Sequence, residues 1–289
     1  MTENQKKTVI VSHRLRGFDS HDASLAGLLK ALEKKVSVFE VDCRVTRDGE
    51  IVIHHDARLG NDFPLQPYIA DKTLKELKQI HYKNSNDSLL TLDELFETIA
   101  PRKDVMLFLD IKESGKEEKI IEKAIKSKLL DKITIVSWLP EVLFKINTLS
   151  PSTPLCFSFY PISTTFTSQL NYLSAKAKST LSGTITNRCT FLFNKYNYDN
   201  RVNGKYGLDY EHFVSLPLSG KMLDLLQSVK GIVCVNYKLP TQHFIEQLKK
   251  HNLQICLYSI NTESDLRKYS IKFQPDIVLT DNASLVTSN

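Results

Sequence analysis

Val36-Ser37-Val38-Phe39-Glu40-Val41-Asp42 is a short, β-branched run that ends on two carboxylates one residue apart. Such a run reads as a strand, and residues i and i+2 of a strand share a face. Glu40 and Asp42 therefore converge at the C-terminal end of that strand. Two like charges held side by side need a cation or a raised pKa. Val105–Asp110 repeats the device, with Asp110 at its end and Lys112 two residues on.

Outward from these two runs the chain alternates. Further strands are predicted to begin near Thr8, Ile133, Leu155, Gly231, Leu253 and Asp276, and a short one over Ile51–His54 follows the Asp48-Gly49 turn. Amphipathic segments over Asp22–Lys35, Leu74–Ile80, Leu92–Ile99, Glu117–Lys128, Pro140–Thr148, Thr241–Lys250 and Glu263–Tyr269 read as helices. Repeated βα units imply a parallel sheet, and eight of them in 289 residues suit an α/β chain folded as a (β/α)8 TIM barrel. The open doubly wound alternative lacks its glycine-rich phosphate loop after the first strand. Residues 160–220, rich in Tyr, Asn, Ser, Thr and Lys, interrupt the alternation between strands five and six. They are expected to form an insertion or lid at the barrel mouth, with residues 1–289 as one domain.

Composition narrows the function. Charged residues make up 25% and the net charge of +5 is diffuse, with no basic stripe interleaved with aromatics. A nucleic-acid partner is not expected. The five cysteines are scattered and none shows metal-site spacing, which points to buried free thiols in a reducing compartment. Val9–Val11 is too short for a signal peptide, and no run approaches the roughly 20 apolar residues of a membrane helix. A cytoplasmic protein without stable membrane insertion is the expectation.

Barrel active sites lie at the C-terminal ends of the strands. Three hard oxygen ligands there, Glu40, Asp42 and Asp110, suit Mg²⁺ or Ca²⁺. His13 ends the first strand and His55 follows the short strand after the turn, so an imidazole acid and base are available at neutral pH. Arg14 and Lys112 supply positive charge for a phosphate. That set reads as phosphoryl transfer, whereas Ser/His/Asp chemistry lacks its Gly-x-Ser-x-Gly elbow.

The ordered series Ser12-His13-Arg14, Glu40-Val41-Asp42-Cys43-Arg44-Val45-Thr46-Arg47-Asp48-Gly49 and His54-His55-Asp56 resembles the glycerophosphodiester phosphodiesterase family. That family shows His-Arg-Gly, Pro-Glu-Asn-Thr, Glu-x-Asp-x-x-x-Thr-x-Asp-Gly and His-Asp. Leu90-Thr91-Leu92-Asp93-Glu94, Asp110-Ile111-Lys112, Ser259-Ile260-Asn261 and Asp276–Asp281 are similar to its later motifs. The resemblance implies a barrel with one divalent metal on Glu40, Asp42 and Asp110. It implies His13 and His55 as the acid–base pair, and Arg14, Lys112 and Asn261 as substrate contacts. The implied reaction cleaves a glycerophosphodiester or similar small phosphodiester to a phosphomonoester and an alcohol. Three positions depart from the pattern: Leu15 replaces the first-motif Gly, His21-Asp22-Ala23-Ser24 replaces Pro-Glu-Asn-Thr, and Asp110 replaces Glu. Asp-x-Lys also resembles the spider-venom type of phospholipase D. The alternatives are therefore a lysophospholipase D acting on a lysolipid, with a cyclic phosphate released if a substrate hydroxyl attacks, and a non-catalytic binding module on a decayed barrel.

Overall fold

The structure, a computed structural model, describes residues 8–158 and 220–287. Its strands are β1 (Val9–His13), β2 (Val38–Val45), β3 (Ile51–Ile53), β4 (Met106–Ile111), β5 (Ile133–Ser137), β6 (Leu155–Ser158), β7 (Ile232–Asn236), β8 (Gln254–Tyr258) and β9 (Ile277–Thr280). Neighbours from β4 to β9 pair in parallel, β4 pairs with β2, and β1 pairs with both β9 and β2. The eight parallel strands thus close into a barrel. β3 is the exception, folding back antiparallel onto the end of β2. The barrel expectation holds, while the expected insertion at 160–220 lies outside the described residues but for Gly220, which opens a helix.

Several boundaries move for physical reasons. β2 runs past Asp42 to Val45 because its last three residues pair with β3. The helix expected from Asp22 begins at Leu25, where the Ser24 hydroxyl accepts the Gly27 N–H at 3.0 Å and caps it. Leu74–Leu77 is one turn rather than a helix to Ile80, fixed by a Thr73–Glu76 capping box. The helix from Glu263 continues to Phe273 and stops where Gln274 turns left-handed. Gly220–Ser228 and Ala283–Thr287 are helices that periodicity did not announce.

Two apolar shells explain why the polar residues gather. The outer shell, between strands and helices, includes Val41, Leu109, Ile135, Val233, Ile255 and Val278. The inner one fills the barrel with Val11, Phe108, Val136, Cys156, Ile232, Cys234, Cys256, Ile277 and Leu279. Alternation then sends the residue two positions on from an inner-shell residue to the same interior face. Val11 is followed by His13, Phe108 by Asp110, and the partly buried Val38 by Glu40 and Asp42. The charged groups are thus the top layer of the barrel filling. A satellite cluster of Val52, Leu59, Phe63, Ile69, Leu77, Ile80, Tyr82 and Leu89 anchors the excursion that carries His55 out of β3.

Candidate active site

A cavity of about 250 Å³ opens at the C-terminal ends of the strands, lined by His13, Arg14, Glu40, Asp42, His55, Asp110 and Lys112 among others. Strand register assembles it. His13 lies opposite Glu40 across β1–β2, and Asp42 lies opposite Asp110 across β2–β4. One ligand oxygen from each of Glu40, Asp42 and Asp110 comes within 4.8 Å of the others, and all three residues are buried.

The electrostatics follow from that crowding. Lys112 bridges two of the acids, with Nζ 2.8 Å from Asp42 Oδ1 and 2.6 Å from Asp110 Oδ2. Arg14 Nε lies 3.3 Å from Asp42 Oδ2. Burial opposes the charge on Asp42, but Lys112 and Arg14 outweigh it and hold the carboxyl well below its usual range. Among the described residues no cation comes as close to Glu40, with His13 Nε2 3.7 Å from its Oε2. Burial first, then the charges of Asp42 and Asp110, push its carboxyl well above the ordinary value. Asp110 Oδ1 is buried and has no hydrogen-bond partner among the described residues. A buried carboxylate oxygen left unpaired beside a carboxyl whose charge is disfavoured by burial and by two neighbouring acids is a set of donors short of one cation. Hard oxygens of this kind fit a divalent metal such as Mg²⁺ or Ca²⁺.

Both histidines are oriented by a carboxylate. His13 Nδ1 lies 2.7 Å from Asp281 Oδ1, and its Nε2 is 3.7 Å from Glu40 Oε2. His55 Nδ1 lies 2.6 Å from Asp56 Oδ1. Burial pushes His55 below the ordinary imidazole value. The buried Arg44 fixes the backbone here, donating from Nε and Nη2 to the His55 carbonyl at 2.9 and 2.8 Å and from Nη1 to Glu113. His54 turns the other way, with its ring edge against Phe63 and Nε2 3.2 Å from the Arg58 carbonyl.

Asn261 does not line the cavity. It stands one layer behind, donating from Nδ2 to Asp281 Oδ2 at 2.9 Å while its Oδ1 accepts the Asp281 N–H at 2.8 Å. Asp281, Asp56 and Arg16 join the site without having been singled out from sequence. Asp281 directly follows β9, at the close of the Asp276–Asp281 stretch, and that position is the signal that could have found it. The departures from the family pattern also find their places. Arg14 and Leu15 are both left-handed, at φ 56° and 53°, where the motif has glycine at the second position. Leu15 keeps that turn and buries its side chain completely in the outer shell.

The model of the glycerophosphoryl diester phosphodiesterase family matches residues 13–285. A glycerophosphodiester phosphodiesterase of Caldanaerobacter subterraneus subsp. tengcongensis is 30% identical over 142 residues, 45% of this chain and 58% of the relative. A lysophospholipase D of Mus musculus is 23% identical over 166 residues, 52% of this chain and 49% of the relative. The matched stretch thus spans about half of the chain and about half to three-fifths of these curated relatives. Among solved structures, one of a glycerophosphoryl diester phosphodiesterase from Silicibacter pomeroyi superposes with a TM-score of 0.69 at 14% identity, covering 97% of this chain and 92% of that one. An Oleispira antarctica phosphodiesterase, solved with the product sn-glycerol-3-phosphate, gives 0.67 at 17% identity, covering 97% and 95%. At those identities the structures speak for the fold, and the family match speaks for descent. With its barrel, its acidic triad and a match from His13 to Leu285, the chain belongs to the glycerophosphoryl diester phosphodiesterase family.

Proposed function

We propose that the chain is a metal-dependent phosphodiester hydrolase that cleaves a glycerophosphodiester or a similar small phosphodiester to a phosphomonoester and an alcohol. The observation that carries this reading is the convergence of Glu40, Asp42, Asp110, His13 and His55 on one cavity. In this reading Glu40, Asp42 and Asp110 hold a divalent cation such as Mg²⁺ or Ca²⁺. Bound there, such an ion supplies charge to neutralise the phosphoryl oxygens.

The chain's own residues do the rest. Arg14 and Lys112 face the same space and draw the diester phosphate against the acids. Asp281 and Asp56 each hold a histidine Nδ1–H, which leaves both Nε2 atoms for proton transfer. His55, kept neutral at pH 7 by burial, is suited to take a proton from the attacking water. His13 is then placed to return one to the leaving alcohol oxygen. Asn261 acts through Asp281 rather than on the substrate.

The test is a turnover screen with Mg²⁺, Ca²⁺ and Mn²⁺ against glycerophosphocholine, glycerophosphoethanolamine, a lysolipid and a sugar phosphodiester, with phosphorus NMR of the products. The reading expects metal-dependent release of a linear phosphomonoester from a small glycerophosphodiester. Exclusive turnover of lysolipid, or a cyclic phosphate product, replaces it with the phospholipase D-like reading. Absence of turnover on every substrate and metal leaves a binding module.

A further inference from the structure

Beneath the acidic layer the inner shell contains three thiols on successive strands: Cys156 on β6, Cys234 on β7 and Cys256 on β8. The phosphodiesterase reading uses none of them. Buried cysteines usually act as small apolar residues. Two features set this group apart. Cys234 and Cys256 are direct register partners on neighbouring parallel strands, and their Sγ atoms are 3.2 Å apart. Cys234 also lines the cavity, whereas Cys156 and Cys256 do not.

We propose that Cys234 and Cys256 form an oxidisable dithiol at the floor of the cavity, which hydrogen peroxide entering through the mouth converts to a disulfide. Backbone geometry permits the bond. Register partners on adjacent strands have Cα atoms about 4.8 Å apart, inside the roughly 4.4–6.8 Å that a disulfide spans. Cys156 pairs with Ile232, two residues before Cys234, so its Cα lies diagonally at roughly 8 Å and outside that span. Reactivity is also unequal. Contacts with the Cys156 and Cys256 thiols, aided by His13, hold Cys234 below the ordinary thiol range. Burial pushes Cys156 and Cys256 above it. The thiolate is the nucleophile, so the accessible thiol is the one that attacks.

The step balances with peroxide as the oxidant. The Cys234 sulfur attacks one peroxide oxygen, the O–O bond breaks, and the departing hydroxide takes a proton and leaves as water. The resulting sulfenic acid is attacked by the Cys256 sulfur. The S–O bond breaks, a second water leaves, and the Cys256 proton goes with it. Two thiols are oxidised and one peroxide is reduced to two waters.

The full-length native protein is treated with hydrogen peroxide, quenched with an alkylating agent without reductant, digested and read by mass spectrometry. The expected product is one peptide pair linked through Cys234 and Cys256, lighter by two hydrogens than the two thiol peptides and reversed by dithiothreitol. Cys256→Ala, which leaves the cavity lining in place, is expected to trap Cys234 as a sulfenic acid that dimedone labels. A Cys234 that stays alkylatable after peroxide, or that pairs with any other cysteine, overturns the assignment. So does linkage that appears only after denaturation.

Discussion

Lys112 has a buried side chain with two carboxylates within 2.8 Å, and both belong to the acidic triad proposed to hold a metal. Removing one partner of a buried ion pair leaves charge without compensation, at a cost of about 3–5 kcal/mol. Lys112→Met is therefore expected to lower the unfolding free energy of metal-free protein, read from urea denaturation, by that amount. Saturating Mg²⁺ should restore part of the loss, as the acids regain a cation. Leu15 poses a contest of two magnitudes. Left-handed backbone costs a non-glycine residue about 1–2 kcal/mol. Deleting a fully buried leucine side chain costs about 2–5 kcal/mol. Leu15→Gly is thus expected to destabilise the fold by a net of about 0–4 kcal/mol, centred near 2, although it restores the family's motif. At this scale the sequence was informative where a residue ends a strand: His13, Glu40, Asp42 and Asp110 all reach the cavity. It was silent on what holds His13, because Asp281 is 268 positions away and only barrel closure brings β9 beside β1. Asn261 was legible as a polar motif residue but not as a partner of Asp281.

Elements show the same division between local and tertiary control. Leu92–Ile99 matches its expected bounds because its signals are local, with Thr91 and Glu94 completing a reciprocal cap. Thr91→Ala removes the hydroxyl that accepts the Glu94 N–H, and a loss of about 1 kcal/mol in denaturant unfolding is expected, with catalytic constants unchanged. β2 was read too short because its extension depends on β3, a partner that periodicity within β2 does not contain. Leu74–Leu77 was read too long because Leu77 and Ile80 are apolar at helical spacing, yet they serve the satellite cluster from a tightened turn.

For the molecule as a whole, the balance of buried acids sets a pH signature. Asp42 and Asp281 are held below the usual carboxylate range, Asp42 by Lys112 and Arg14 against burial and Asp281 by His13 and Asn261 against burial. Asp56 is pushed down to about 2 by its bond to His55. A depressed folded-state pKa contributes stability above the unfolded value, and that stability is lost as pH falls through the folded one. For Asp56 the window runs from about pH 4 to about pH 2, between its unfolded and folded values. The urea midpoint should fall across it, less steeply in Asp56→Asn. Glu40 has the opposite sign. Its carboxyl is raised by burial and by the charges of Asp42 and Asp110, so a metal binding there would compete with a proton. Metal affinity should therefore rise with pH, and calorimetry in buffers of different ionisation enthalpy should show proton release that Glu40→Gln abolishes. The barrel and its acidic triad were legible because strand-end carboxylates report their own position. The pairing that assembles the cavity was not, since it depends on the shear that sets His13 against Glu40 and Asp42 against Asp110. Among the described residues no helix is long and apolar enough to cross a membrane.

The most direct measurement is the hydrolysis of glycerophosphocholine by chelator-treated protein as Mg²⁺ or Mn²⁺ is added back, run beside Asp42→Asn and followed by phosphorus NMR. The predicted result is no turnover without metal, glycerol phosphate appearing with about one equivalent bound, and loss of both binding and turnover in the variant. Undiminished hydrolysis in the presence of chelator, or full activity in Asp42→Asn, would contradict a metal held by Glu40, Asp42 and Asp110.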